Sequence, residues 1–259
     1  MLRMLFENVE RLLVFVAHPD DETIGCAGLL QRVPASLVVF AVDGSPAGYG
    51  FERKFGTLKN YSEERFREAG RALGYTPNCE FRRLKTRRGE YFQDRRLFEN
   101  LEEAAGSLLT TVQEFSPDAM VSHAFEGGHI DHDACSFLAN HAASSCGLRH
   151  LEFPLYWKGA NGQDVFQEFR EVQGDEVCLD LSEAEITVKK KMLGEYKSQG
   201  EIVATFSLNA ERFRGARSYD YVHPRWNFSY PGNWRTRRDA RLVLKRFEEF
   251  RGMTVKKGQ

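Results

Sequence analysis

The stretch LLVFVAHPDDETIGCAG, Leu12 to Gly28, decides the fold. Its first six residues, Leu12 to Ala17, form an apolar run that gives way at once to His18, Pro19, Asp20, Asp21 and Glu22, then to the small-residue pattern Thr-Ile-Gly-Cys-Ala-Gly. A short apolar run ended by a turn and followed by helical spacing reads as a buried strand that delivers polar groups at its C-terminal end. One imidazole and three carboxylates within five residues are costly to hold near an apolar element unless a cation or hydrogen bonds compensate them. The next helix is expected to begin at Asp20 or Asp21, whose carboxylates suit a helix N-terminus, and to run through Ile24, Ala27 and Leu30 to about Val33, before Pro34.

A second buried strand is read at Leu37 to Val42, ending in the turn signal Asp43-Gly44-Ser45-Pro46. Strand, helix, strand is the start of an α/β fold with parallel strands, and such sheets place ligands outside the carboxyl ends of their strands. Residues 43–61 show no periodicity and read as a loop beside the site, a lid or substrate wall. A helix is expected over Ser62 to Leu73, closed by Gly74, and an amphipathic helix over Leu97 to Phe115. Between them lies the basic segment Arg82 to Arg96, a solvated face unless it meets an anionic substrate group.

Ser116-Pro117-Asp118 leads into a short strand, Ala119 to Ser122, which empties into a second polar cluster, His123 to Asp133. A helix from about Asp131 to Gly147 and a strand over Leu151 to Tyr156 follow. Alternation in Val165–Val172 and around Val177–Leu181 suggests a hairpin or an added β region, which would make the sheet mixed. Ser182 with Glu185 is a capping-box signal for a helix through Ile186, Lys189, Leu193 and Tyr196. Residues 207–234 read as irregular and 236–250 as a closing helix.

Composition narrows the function classes. At 259 residues the chain suits one or at most two domains, and its formal net charge of -1 argues against a dedicated nucleic-acid binder. No 18-residue apolar run is present and the N-terminus lacks signal-peptide order, so a cytoplasmic protein without membrane insertion is expected. The five cysteines show no CxxC spacing, which suggests neither a disulfide framework nor a thiolate metal site.

The chemistry lies in pairing the two polar clusters. His18 and Asp21 stand across a strand-to-helix corner, and His132 opens a helix after a different strand. Two imidazoles and one carboxylate suit a catalytic zinc that keeps a position for water, whose proton is then lost near neutral pH. Asp20 beside Asp21 is free to act as base, His129 as a cation or donor toward a developing oxyanion, and Asp131 to orient His129 or a ligand histidine. Alone, each has a plainer reading as a satisfied buried histidine or a helix cap. Glu22 fits a first-turn or supporting role; Glu126, His123 and Asp43 are open between structure and site.

AHPDDETIGCAG, Ala17 to Gly28, resembles the signature of the PIG-L/LmbE family of zinc-dependent N-acetylglucosaminyl deacetylases, and EGGHIDHDA, Glu126 to Ala134, resembles its second motif. The resemblance implies a Rossmann-like, mostly parallel sheet flanked by helices, with an added C-terminal mixed β and helical region. It implies one deacetylase-like domain over 1–259, a metal-site core over 12–150 and an elaboration over 151–259 that completes the substrate pocket. Position by position, it places zinc, or another divalent metal such as Fe2+, on His18, Asp21 and His132, the general base on Asp20 and a protonated, oxyanion-stabilising histidine on His129. Ile130 stands where the family usually has proline, and Tyr196 where a later HxSQ element often has histidine.

The implied reaction releases acetate from an amino-sugar conjugate; alternatives are an amidase for another acylated amine or thiol conjugate, or a noncatalytic small-molecule binder. A small acylated amino sugar is the expected partner, with a homo-oligomer left open. Tyr49, Phe51, Tyr91, Phe92, Trp157, Trp226, Tyr230 and Trp234 offer sugar-stacking surfaces, and Arg65, Arg82, Arg83 and Arg87 offer contacts to an anionic aglycone.

Overall fold

The computed structural model describes residues 5–172, 174–226, 230 and 240–257. Strand β1 (Arg11–Val16) leads into helix α1 (Asp21–Arg32) and strand β2 (Ala35–Phe40). Helices α2 (Glu52–Phe55) and α3 (Leu58–Leu73), strand β3 (Cys79–Arg83), a 3-10 turn at Leu97–Asn100, helix α4 (Leu101–Phe115) and strand β4 (Ala119–His123) follow. Next come helix α5 (Ile130–Cys146) and strands β5 (Arg149–Phe153), β6 (Tyr156–Lys158), β7 (Asp164–Phe166) and β8 (Val177–Asp180). Helices α6 (Glu183–Glu195) and α7 (Gly200–Val203), strand β9 (Ala210–Gly215) and helix α8 (Ala240–Lys257) complete the order.

Seven strands form one sheet in the order β3-β2-β1-β4-β5-β9-β8. The first five run parallel, and β9 and β8 add an antiparallel edge. The Rossmann-like, mostly parallel sheet with a mixed C-terminal region is therefore present. Because β2 and β4 lie on opposite sides of β1, the strand order reverses there, and the crevice beyond the C-terminal ends of β1 and β4 is the expected ligand position.

β1 is buried on both faces. Leu13 and Phe15 enter one core with Leu101, Leu108 and Leu138, while Leu12, Val14 and Val16 enter the other with Ile24, Leu30, Val38, Leu73 and Met192. The small residues of α1 allow close approach to the sheet: a Cβ at Gly25 would lie 2.3 Å from the Phe153 ring. A buried ion pair, Lys189 Nζ to Glu211 at 2.9 Å, ties α6 to β9, and both partners reach α1. Lys189 donates to the Ile24 carbonyl (2.8 Å), and Glu211 accepts the Gly28 and Leu29 N–H groups (2.8 and 3.1 Å).

Several expectations are corrected. Helix α3 starts four residues earlier than Ser62 because Thr57 caps it, its hydroxyl accepting the Asn60 N–H, so 43–61 is only partly loop. Strand β3, which shares only Arg82 and Arg83 with the basic stretch, and β9, which lies in the segment read as irregular, carry charged side chains that mask the alternation. Of the two readings of Val165–Val172 and Val177–Leu181, the added β region is present and the hairpin is not: β7 pairs with β6, and β8 pairs with β9 to make the sheet mixed. The capping box at Ser182 and Glu185 is formed. Trp234 and residues 236–239 of the expected closing helix lie outside the described residues.

Candidate metal and catalytic site

Two strand ends build the site. After β1 the chain turns at His18-Pro19-Asp20, and the His18 N–H donates to Asp21 Oδ2 (2.8 Å). Asp20 has φ +132° and ψ -33°, a conformation sparsely populated by any residue but glycine. Its carboxylate caps no helix N–H; it accepts from Arg65 Nη2 at 2.9 Å, and the same guanidinium donates to the Pro19 and Gly44 carbonyls. The Asp20 N–H donates to Glu22 Oε2 (3.0 Å), whose other oxygen receives the Thr23 and Tyr196 hydroxyls.

On the other side, His123 ends β4, and its Nε2 accepts the Ala17 N–H at 3.1 Å. His129 is the N-cap of α5: its Nδ1 accepts the Asp131 N–H (3.2 Å), which leaves the ring proton on Nε2. A Cβ at Gly128 would lie 1.8 Å from the Tyr156 carbonyl oxygen, so only glycine allows this approach to α5.

The clusters converge on Asp21. Its Oδ2 stands 3.3 Å from His18 Nδ1, 3.3 Å from His123 Nε2 and 3.5 Å from His132 Nε2. Three sets of donor atoms lie close enough together to hold a metal ion: His18, His129 and His132; Asp21, His123 and His132; and His18, Asp94, His129 and Asp131. The expected set His18, Asp21 and His132 bridges the first two. The Asp131 carboxylate lies near His129 without hydrogen-bonding its ring. The same carboxylate accepts the Arg95 and Leu97 N–H groups and lies 3.4 Å from His18 Nε2, with Asp94 Oδ2 at 3.5 Å from the same nitrogen.

This donor set fits a divalent cation. Buried carboxylates of Asp20, Asp21, Asp94 and Asp131 crowd His18, and the buried His18 Nε2 makes no hydrogen bond. Hard carboxylate oxygens with imidazole nitrogens are the donors such an ion takes, and concentrated buried negative charge favours it electrostatically.

The electrostatics divide the roles. Burial raises the Asp20 carboxyl to about 7, with Arg65 opposing and Asp21 adding to the rise. Burial also acts against Asp21 ionisation, but His132 and His123 outweigh it and hold that carboxyl well below its ordinary value. Burial pulls His18 down, yet Asp94, Asp131 and Asp21 push it well up. His129 is lowered well below its ordinary value by burial, with His18 and His132 reinforcing the effect. Of the two readings of His129, cation or donor, these surroundings favour the neutral ring that donates through Nε2.

The cluster floors a cavity of about 200 Å3, walled by Tyr49, Phe51, Tyr61, Arg65, Tyr156 and Phe206 among others. Of the proposed stacking aromatics, Tyr49 and Phe51 line it. Tyr91 faces a neighbouring cavity, Phe92 is core, Trp157 and Trp226 flank Arg170, and Tyr230 donates to Asp133. Asp94, Tyr61, Tyr156 and Phe206 carried no motif signal; His123 and Glu22 were visible beside the motifs without an assigned contact.

A mostly parallel α/β sheet with a buried histidine and carboxylate cluster at its switch point defines an α/β protein with a candidate divalent-metal site. Residues 13–143, just over half of the chain, match the family model of the GlcNAc-PI de-N-acetylases, PIG-L, and the chain belongs to that family. No curated protein matches it in sequence. Among solved structures, a triple mutant of the deacetylase Orf2 of teicoplanin biosynthesis superposes with a TM-score of 0.64 at 19% identity, covering 81% of this chain and 99% of that one. The A40926 pseudoaglycone deacetylase Dbv21 gives 0.60 at 16% identity, covering 80% and 96%. The N,N'-diacetylchitobiose deacetylase from Pyrococcus horikoshii gives 0.55 at 15%, covering 83% and 86%. At these identities the likeness is one of fold.

Proposed function

We propose that the protein is a cytoplasmic, zinc-dependent N-deacetylase that hydrolyses the acetamide of an N-acetylglucosamine-type conjugate, giving acetate and the free amino sugar. The observation that carries this reading is the meeting of the two motifs at Asp21 Oδ2, with His18 Nδ1 at 3.3 Å and His132 Nε2 at 3.5 Å, inside a family of de-N-acetylases. His18, Asp21 and His132 would hold the metal. His123 is engaged by the Ala17 N–H and supports the set, and the Asp131 and Asp94 carboxylates stand 3.4 and 3.5 Å from the other nitrogen of His18, within reach of orienting it once the metal is bound. When bound there, the divalent ion supplies a Lewis acid for the amide carbonyl and makes water acidic near neutral pH. Among the described residues no helix is long and apolar enough to cross a membrane.

The chain's own groups supply the proton transfers. Asp20, raised by burial to about 7, is matched to taking a proton from attacking water and returning it to the leaving amine. His129 Nε2–H donates to the oxygen of the former carbonyl as charge develops there. Arg65 fixes the Asp20 carboxylate through one oxygen.

Acetate release by the zinc-loaded chain from N-acetylglucosamine and its conjugates is the direct test. Activity should disappear with a chelator and return with metal, and Asp20→Asn should keep the metal while losing about 100-fold or more in kcat. Full turnover by Asp20→Asn removes it as base; no acetate from a metal-loaded protein across the panel overturns the deacetylase reading.

A further inference from the structure

The cavity of about 200 Å3 lies below the size of pockets that enclose drug-sized ligands and has room for about one sugar ring. Whatever that sugar carries must then lie on the rim. Tyr49 and Phe51 form one side of it, their rings stacked 6.1 Å apart, and Ile202 and Phe206 form the other. Phe166 packs edge-on against Phe206 at 5.3 Å, and Tyr156 joins them to the cluster, 6.4 Å from Phe206 and 5.3 Å from His132. An apolar path therefore runs from the candidate ligand to the surface.

That path ends in exposed apolar side chains. Of seven large hydrophobic residues exposed among the described residues, Tyr49 (38%), Phe166 (38%) and Ile202 (52%) gather at this mouth. Clustered exposure of this kind marks a binding surface more than scattered apolar residues do. Of the four arginines offered by the sequence for an anionic aglycone, Arg87 lines neither this cavity nor the neighbouring one, and the other three are engaged elsewhere. Arg65 is buried on Asp20, Arg83 is buried on Ser62 and Glu63 with its guanidinium over Phe66 and Tyr91, and Arg82 pairs with Glu114. Arg95, which lines the cavity, lies over the Tyr49 ring at 5.3 Å.

We infer that this rim is an aglycone subsite for an apolar group, an alkyl chain or aryl ring linked to the anomeric carbon of the amino sugar. The inference rests on the deacetylase reading and names its substrate class. The adjoining cavity of about 690 Å3, with Lys59, Glu63, Glu90 and Arg96 in its wall, is the competing place for a polar or acidic aglycone. Glu63 and Arg96 are already paired there, with Arg83 and Glu99.

The test uses the full, metal-loaded chain with free N-acetylglucosamine, its methyl, octyl and phenyl glycosides, and its 1-phosphate. Burial of two methylenes is enough for about a tenfold gain in affinity, so kcat/KM for the octyl or phenyl glycoside should exceed that for the methyl glycoside by at least about tenfold, through KM. The double variant Ile202→Ser, Phe166→Ser should bring that ratio close to one. Equal rates for methyl and octyl glycosides, or a preference for the phosphate, overturn the inference while leaving deacetylation intact. Calorimetry with octyl glucoside below its micellar concentration, which carries no acetamide, reads the subsite without turnover. Binding absent for methyl glucoside and weakened by the double variant supports the subsite even if no acetate is released; no binding overturns it.

Discussion

The phenolic hydroxyl of Tyr196 donates to Oε1 of Glu22, and the other oxygen of that carboxylate receives the backbone N–H of Asp20 at 3.0 Å. Tyr196 is fully buried, so its contact acts on the proposed base through the main chain and not by touching substrate. Tyr196→Phe leaves a buried carboxylate short of a donor, at a cost of about 1–3 kcal/mol. Its kcat should fall with KM little changed and metal content intact. Tyr196→His, which restores a donor, should recover most of the lost kcat; steady-state kinetics of the two variants, with thermal melts alongside, check this.

Metal affinity should rank the histidines. His132→Ala removes a proposed ligand and should largely abolish stoichiometric zinc binding at neutral pH. His123→Ala removes a ring stacked on His132 at 4.1 Å with an interplanar angle of 3°, and a loss of about 10- to 100-fold in affinity is expected for such support. Competition against a chromophoric chelator measures both, and equal effects would make His123 a ligand in its own right.

The Lys189–Glu211 pair is fully buried on both sides. Lys189→Met strands the Glu211 carboxylate beside α1 and should destabilise the fold by about 3–5 kcal/mol. Replacing both partners, Lys189→Met with Glu211→Leu, should recover much of that loss in denaturant unfolding.

His150 gives a pH signature away from the cluster. Burial lowers its imidazole from 6.5 to about 4, and its Nε2 lies 2.8 Å from Ser122 Oγ. A histidine whose folded value lies below its unfolded value binds more protons when unfolded, so its contribution is complete above pH 6.5 and is lost as pH falls toward 4. Between pH 7 and pH 5 the wild type should therefore lose more melting temperature than His150→Gln.

Which parts of this arrangement the sequence disclosed follows from how each is built. The strand and helix around His18 were readable because an apolar run and a polar turn lie side by side in the chain, and His132 because its cluster repeats that form after β4. Their meeting at Asp21 follows from parallel topology, which brings the ends of β1 and β4 together. Asp94 and Phe206 were hidden because nothing near them in the chain marks them, and they reach the cavity only through tertiary packing. β3 and β9 escaped because arginines and glutamates occupy positions that alternation rules assign to apolar residues. Arg83 and Arg214 are nevertheless buried, against Ser62 and Glu63 and against Glu152. Whether His129 is a cation or a neutral donor was left open by the sequence, since burial and neighbouring imidazoles act on it only once the chain is folded.

The backbone of Asp20, with φ at +132°, asks for glycine, while the proposed base role asks for a carboxylate. Of two substitutions that remove the acid equally, Asp20→Gly should be the more stable, by about 1 kcal/mol over Asp20→Ala. Either substitution leaves the buried Arg65 guanidinium without its carboxylate. The acid is therefore held against the preference of its own main chain by the partner it neutralises, so ease of backbone and balance of charge pull apart at a single position.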